Sequence, residues 1–201
     1  MTQHVELLKK VPLFENVDDG ELGSISQMLV EKSFTKDATI VAKDETGDAM
    51  YIIARGRVKV VMPGDGGREV ILNILKAGDF FGEMALVEAS QRSADVIAAE
   101  DTKVLVLKRD VFVDHVLKNP KVALNIMAEL SRRLRRADEL ISDLALLDVG
   151  ARISRIITEM GQRDGVDTEE GRLIRERPTQ QDIASMIGTS RETVSRMLSD
   201  W

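Results

Sequence analysis

The sequence predicts an α+β chain: an antiparallel β-roll of jelly-roll type, then one long helix, then two short helices joined by a tight turn. Three observations predict it. Between Thr39 and Leu107, short runs rich in β-branched residues recur at regular spacing, with turn signals between them. After Asn119-Pro120, apolar residues recur every three or four positions for almost three heptads. Near the C-terminus, two short amphipathic stretches flank Gly188 and Thr189. The expected divisions are 1–119, 120–148 and 149–201.

From residue 6 to residue 30 the pattern is helical, carried by Leu7, Leu8, Leu13, Phe14, Leu22, Ile25 and Leu29 and interrupted by Pro12. Strands are expected at 39–41, 50–53, 58–61, 70–74, 94–98 and 104–107. Turns are marked by Gly47-Asp48, Arg55-Gly56, the glycine-rich run 63–67 and Ala77-Gly78-Asp79. Strands spaced this evenly read as an antiparallel barrel or jelly roll rather than as βαβ units. One helical interruption, 84–89, separates the fourth run from the fifth. Whatever it binds would sit in the barrel mouth, with Val60, Leu72 and Leu75 as a hydrophobic wall.

That interruption lies in GDFFGEMALVEASQRSA, residues 78–94, where the chemistry is densest. Gly82, Glu83 and Met84 open the helix, and Arg92-Ser93 follow Glu83 by nine to ten residues. A phosphodiester anion suits backbone N–H groups at a helix N-terminus. It also needs a cation, and the planar fork of Arg92 can grip two phosphate oxygens. Ser93 adds a neutral donor. Glu83 accepts only, so its place is against a sugar hydroxyl rather than the phosphate. Any one of these residues alone is a common turn or surface residue. The whole string resembles the phosphate-binding cassette of the cyclic-nucleotide-binding family.

Composition excludes several other classes. With no cysteine, the chain has no disulfides, thiolate zinc sites or cysteine-held clusters. Its two histidines are far apart, so no metal centre is expected. No apolar run approaches the ~20 residues of a membrane helix, and the N-terminus is charged, so a cytoplasmic protein without a membrane partner is expected. A net charge of −6 leaves any nucleic-acid contact to a local site.

In the long helix Met127, Leu130, Leu134, Ala137, Ile141 and Leu144 form a heptad seam flanked by charged residues. A single buried helix shows the same stripe, but the narrow seam between charges favours a parallel homodimer. Beyond it, Ile153, Ile156 and Ile157 mark another amphipathic helix, followed by a polar loop at 161–171. The helices expected at 179–187 and 190–198 carry Ala184, Gly188 and Val194 where a helix-turn-helix needs a small residue, a turn glycine and a buried apolar residue. Thr179, Gln180 and Ser190 lie at the helix starts, and Arg191, Glu192 and Arg196 share one side of the second helix. Arginine suits guanine O6 and N7, and glutamate suits cytosine N4. Thr189 and Glu192 equally match a capping box. From Val149 onward, 8 basic and 9 acidic residues leave a balance of −1, so the DNA reading rests on the motif.

Taken in order, roll with cassette, long helix and helix-turn-helix resemble the catabolite activator protein/FNR superfamily of bacterial transcription regulators, within it the cyclic-AMP receptor protein branch. GDFFGEMAL with QRSA, LALLDVGARI and TSRETVSRML carry the resemblance, which spans essentially the whole chain. It implies that Gly82, Glu83, Arg92 and Ser93 hold ribose and cyclic phosphate. It also implies that Arg191, Glu192 and Arg196 read bases in a palindromic site. Cyclic AMP is the implied effector, with cyclic GMP and cyclic di-GMP also open. Double-stranded DNA and RNA polymerase are the implied macromolecular partners.

Two features depart from that pattern. Where the family places hydroxyl residues against the base, this chain has Ala137 and Asp138. Asp138 suits either an adenine amino group or the donor edge of guanine; equally, heptad geometry pairs it with Arg133 of a partner helix. The family also continues past the recognition helix into a β-hairpin wing, whereas this sequence stops at Trp201, so either a fragment of a longer chain or a protein that has lost its wing is expected. Gly150 is the expected hinge between the long helix and the DNA-binding segment. The alternative function is a nucleotide-sensing protein-interaction module without DNA binding. An enzyme acting on cyclic nucleotides is disfavoured, because the cassette offers no metal cluster or activated nucleophile.

Overall fold

The computed structural model describes residues 2–64, 66, 68–175 and 177–200. Helices α1 (Thr2–Leu8) and α2 (Asp19–Met28) precede strands β1 (Val30–Phe34), β2 (Thr39–Val41), β3 (Ala49–Arg55), β4 (Arg57–Pro63), β5 (Glu69–Lys76) and β6 (Phe80–Phe81). Helix α3 (Glu83–Glu88) interrupts them before β7 (Asp95–Ala98) and β8 (Thr102–Lys108). Then come α4 (Arg109–Lys118), α5 (Pro120–Leu146), α6 (Val149–Asp164), β9 (Val166–Thr168), β10 (Gly171–Leu173), α7 (Gln180–Ile187) and α8 (Arg191–Ser199). Two compact units result, one within Met1–Pro63 and Leu72–Arg133, the other within Gly64–Ile71 and Leu134–Trp201. Asp65 and Gly67 of the expected 63–67 turn, and Trp201, lie outside the described residues.

Strand β3 is apolar at every position but its last, and β8 is continuously apolar from Val104 to Leu107, so both of their faces need cover. Alternation sorts their side chains. Ala49, Tyr51 and Ile53 with Val104 and Val106 enter a cluster shared with Val41, Val58, Leu75 and Val96 of the other sheet. Met50 and Ile52 with Leu105 and Leu107 turn the opposite way, onto Leu8, Leu22, Ile25, Phe112, Val122 and Ile126 of the helices. Each fully buried aliphatic side chain contributes about 1.5–3 kcal/mol relative to exposure. The N-terminal core is therefore layered as sheet on sheet, with helices on one outer face.

The two sheets have strand orders β1-β8-β3-β6 and β2-β7-β4-β5. This is the expected jelly-roll-like arrangement, and the closed barrel is not present. The reason lies at the edges: β6 has two residues, and β2 has three with an irregular register between Thr39 and Val41. Neither is long enough to carry a continuous ladder from one sheet to the other.

Residues 6–30 are less uniform than their pattern. Pro12–Phe14 form a single 3-10 turn, α2 starts behind an Asp18 cap, and Val30 already pairs with Val106 of β8. That pairing decides the fate of β1, whose own burial pattern is almost wholly exposed. The polar loop expected at 161–171 is structured instead: α6 continues to Asp164, and β9 and β10 form a small antiparallel pair reaching to Leu173.

Helix α5 is continuous from Pro120 to Leu146, and Leu147 and Asp148 break it from α6. Asp148 is extended (ψ 171°), and its side chain accepts from the Ala151 N–H at 2.8 Å, capping α6. Gly150 therefore lies inside the first turn of α6 and is not the break. A Cβ there would stand 2.8 Å from the Met197 methyl, the flexible end of a side chain that would have to shift for a larger residue.

Candidate functional site

The sequence between β6 and β7 folds as a tight cassette. Gly82 caps α3 in the left-handed region (φ 86°), and a Cβ there would meet Arg92 Nη1 at 2.6 Å. Both the turn and the close approach thus require glycine. Arg92 is 5% exposed. Its Nη1 donates to the Gly82 carbonyl at 3.0 Å and its Nη2 to the Ala49 carbonyl at 2.6 Å. The segment is tied down further by Arg92 N donating to the Glu45 carbonyl at 2.8 Å. Helix α3 has only six residues, so its dipole is small, and the Arg92 guanidinium brings a full positive charge beside Gly82.

Glu83 is buried (1% exposed) and Oε1 accepts from Arg133 Nη1 at 2.9 Å, while Oε2 has no partner. Burial pushes the Glu83 carboxyl above the usual range, and the Arg133 charge opposes that rise. Arg133 also donates to the Phe80 carbonyl at 2.8 Å and to Glu129 Oε1 at 3.0 Å, with Cζ 5.0 Å from the centre of the Phe80 ring. Arg133 is thus engaged within its own chain, on Glu83, Glu129 and the Phe80 carbonyl. Sequence spacing signalled the Glu129–Arg133 pair at i,i+4 but carried no signal for Glu83, fifty positions away.

The other expected contacts are spread unevenly. Gly82, Glu83 and Arg92 come together, while Met84 and Ser93 are exposed beside them. Val60 and Leu75 join the inter-sheet cluster, but Leu72 is 44% exposed. Ala137 and Asp138 are exposed on α5. Along that helix Met127, Leu134, Ile141 and Leu144 are also exposed, and so is Leu124 outside the expected seam. Leu130 departs from the stripe by packing on the core of its own chain.

In the C-terminal unit Ile153, Ile183, Ala184, Ile187 and Val194 form the core on which α7 and α8 are mounted. Gly188 takes the left-handed conformation (φ 69°) that turns one helix into the next. The Thr189–Glu192 capping box does not form. Ser190 is the N-cap, accepting from Thr193 N at 3.2 Å, whereas a box does form between Thr179 and Asp182. A bond from the Glu192 backbone N–H, then one from the Ser190 hydroxyl, holds the Glu192 carboxyl below its usual range. Arg191, Glu192 and Arg196 are exposed together on the side away from buried Val194; Thr179 and Ser190 are exposed and Gln180 half-buried.

A β-roll with a phosphate cassette and a helix-turn-helix with an exposed charged face define a nucleotide-responsive DNA-binding protein. Residues 31–119 match the family described as the cyclic nucleotide-binding domain, and residues 151–201 the Crp-like helix-turn-helix domain. The chain belongs to the Crp-like family of cyclic-nucleotide-binding transcription regulators. It is 30% identical over 198 residues to the CRP-like cAMP-activated global transcriptional regulator of Mycobacterium tuberculosis, covering 98% of this chain and 88% of that one. It is 33% identical over 191 residues to the Cyclic AMP receptor protein of Thermus thermophilus, covering 95% and 85%. The solved Catabolite Activator Protein of Thermus thermophilus superposes with a TM-score of 0.61 at 30% identity, over 94% of this chain and 85% of that one. These matches support ligand-gated transcription regulation over a sensing module without DNA binding.

Proposed function

We propose that Arg92 and Ser93 take the cyclic phosphate, Gly82, Glu83 and Met84 the ribose side, and Val60, Leu72 and Leu75 the base, with cyclic AMP the first effector to test. The observation that carries this reading is the Glu83 carboxylate, buried with one oxygen unpartnered. An unpaired buried acceptor is costly, and a ribose hydroxyl satisfies it. Cyclic 2′-deoxy-AMP is therefore expected to bind more weakly than cyclic AMP by about 1.5–3 kcal/mol, the worth of a hydrogen bond to a charged group. Calorimetry giving equal affinities would remove Glu83 from the site.

Base choice is assigned to Ala137 and Asp138, by resemblance. With Arg133 engaged elsewhere and no partner on Asp138 among the described residues, the base-contact reading of that carboxylate gains weight. In the same calorimetric series, Asp138→Ala should change the ratio of cyclic AMP to cyclic GMP affinity. A constant ratio retires that assignment.

The functional divisions follow: residues 1–119 sense the nucleotide, 120–148 dimerise, and 149–201 bind DNA. Two copies pair through Met127, Leu134, Ala137, Ile141 and Leu144, with Leu130 at the margin of the seam. Ligand then favours the dimer state whose recognition helices lie about one DNA turn apart (~34 Å). Arg191, Glu192 and Arg196 would contact base edges there, with Thr179, Gln180 and Ser190 against the backbone. The regulator would work in the cytoplasm and meet RNA polymerase on DNA; transcription reconstituted with purified polymerase tests that contact.

Coupling must be reciprocal: cyclic nucleotide and specific DNA tighten each other's binding by the same factor, expected at about 5–150-fold. Mobility shifts with and without saturating nucleotide measure it. Equal DNA affinity in both conditions would defeat the gated mechanism.

A further inference from the structure

We propose that Tyr51 is a positioning residue for the nucleotide phosphate, acting through Arg92, whose guanidinium it holds by the face of its ring. The inference rests on Arg92 being the phosphate ligand of the site proposed above. Tyr51 is the only tyrosine in the sequence, and its side chain enters the inter-sheet core at 9% exposure. Its ring stacks on Phe81, its cross-strand partner on β6, with centroids 4.9 Å apart and planes 6° from parallel. Arg92 lies by the Tyr51 ring, with Cζ 5.6 Å from its centroid.

The remaining contacts of Arg92 complete the hold. Nη2 donates to the Ala49 carbonyl and Nη1 to the Gly82 carbonyl. Ala49 and Tyr51 are two positions apart on β3, so both act from one stretch of a rigid central strand. A guanidinium has five N–H donors. Two carbonyls engage one donor on each terminal nitrogen and leave three donors for an anion. A cation beside an aromatic ring is attracted by its negative face, most strongly where water is excluded. Arg92 thus reaches the phosphate already ordered, and binding does not have to freeze a long side chain. Carbonyl bonds alone would set the position of the guanidinium; the ring also restrains its tilt.

The test is calorimetry on the full chain, with whichever of cyclic AMP and cyclic GMP the unmodified protein binds. Tyr51→Phe keeps the ring and removes only the hydroxyl's own interaction with Arg92, and should bind within about threefold of the unmodified chain. Pentafluorophenylalanine at position 51 keeps the shape but reverses the charge of the ring face, and should weaken binding about tenfold relative to Tyr51→Phe. Tyr51→Leu should show a similar loss, which falls below about twofold in an Arg92→Ala background if the effect runs through Arg92. Phe81→Leu breaks the same stacked pair but leaves Tyr51 in place. It should lower the melting temperature while keeping affinity within about threefold. Equal affinity of the pentafluorophenylalanine and Tyr51→Phe proteins overturns the proposal. So does a Tyr51→Leu loss that persists undiminished without Arg92, or an equal loss in Phe81→Leu. Full-strength binding by Arg92→Ala is a different result: it removes the phosphate reading itself.

Discussion

Replacing Arg92 by Ala is expected to weaken cyclic-nucleotide binding by about 2–5 kcal/mol, the range for truncating one partner of a buried charge pair. Two effects add. The phosphate loses its main counter-charge in a site where water is scarce, since Arg92 is 5% exposed. The Gly82 and Ala49 carbonyls lose their donors as well, which loosens the turn that opens α3. Arg92→Lys separates the two: it restores the charge but not the planar fork, so it should recover only part of the affinity. Calorimetry gives the binding loss, and thermal unfolding of the ligand-free chain gives the loosening. Undiminished binding by Arg92→Ala would mean that the phosphate is held elsewhere.

The second large effect is on assembly. Leu134→Asp is expected to convert the dimer into monomers at micromolar concentration, read by light scattering. Leu134 is 63% exposed in the single chain, with Met127 at 54% and Ile141 at 65% along the same stripe. A chain that exposes such a row has a reason to pair through it. Asp at a central seam position would have to be buried without a partner, a cost that a dimer of this length does not offset. Arg135→Asp, one residue away and off the seam, is the control and should leave the dimer intact. A monomeric unmodified chain with nucleotide present would end the seam reading.

Much of this protein was legible without coordinates because the signals are local. The Gly188 turn, the apolar periodicity of the long helix and the six main strand runs depend on residues within a few positions of one another. The cassette was legible for the same reason: Gly82, Glu83, Arg92 and Ser93 fall within a dozen residues, and their chemistry is recognisable as a string. Local signals also misled. Thr189 and Glu192 fit a capping pattern that Ser190 pre-empted, and Gly150 looked like a hinge although Asp148 makes the break.

What the sequence by itself determined, then, is the order of parts, their periodicity and the residue types available to a phosphate and to DNA. Tertiary structure alone decided which of those residues meet. Strand β1 exists because β8 pairs with it, and the roll stays open where the edge strands β2 and β6 are too short to join. Leu130 turns inward to its own core, Arg133 closes on Glu83, and Tyr51 comes beside Arg92. In each case the partner lies tens of residues away. Periodicity specifies which face of an element is apolar, but only the packing of elements against one another specifies what that face touches.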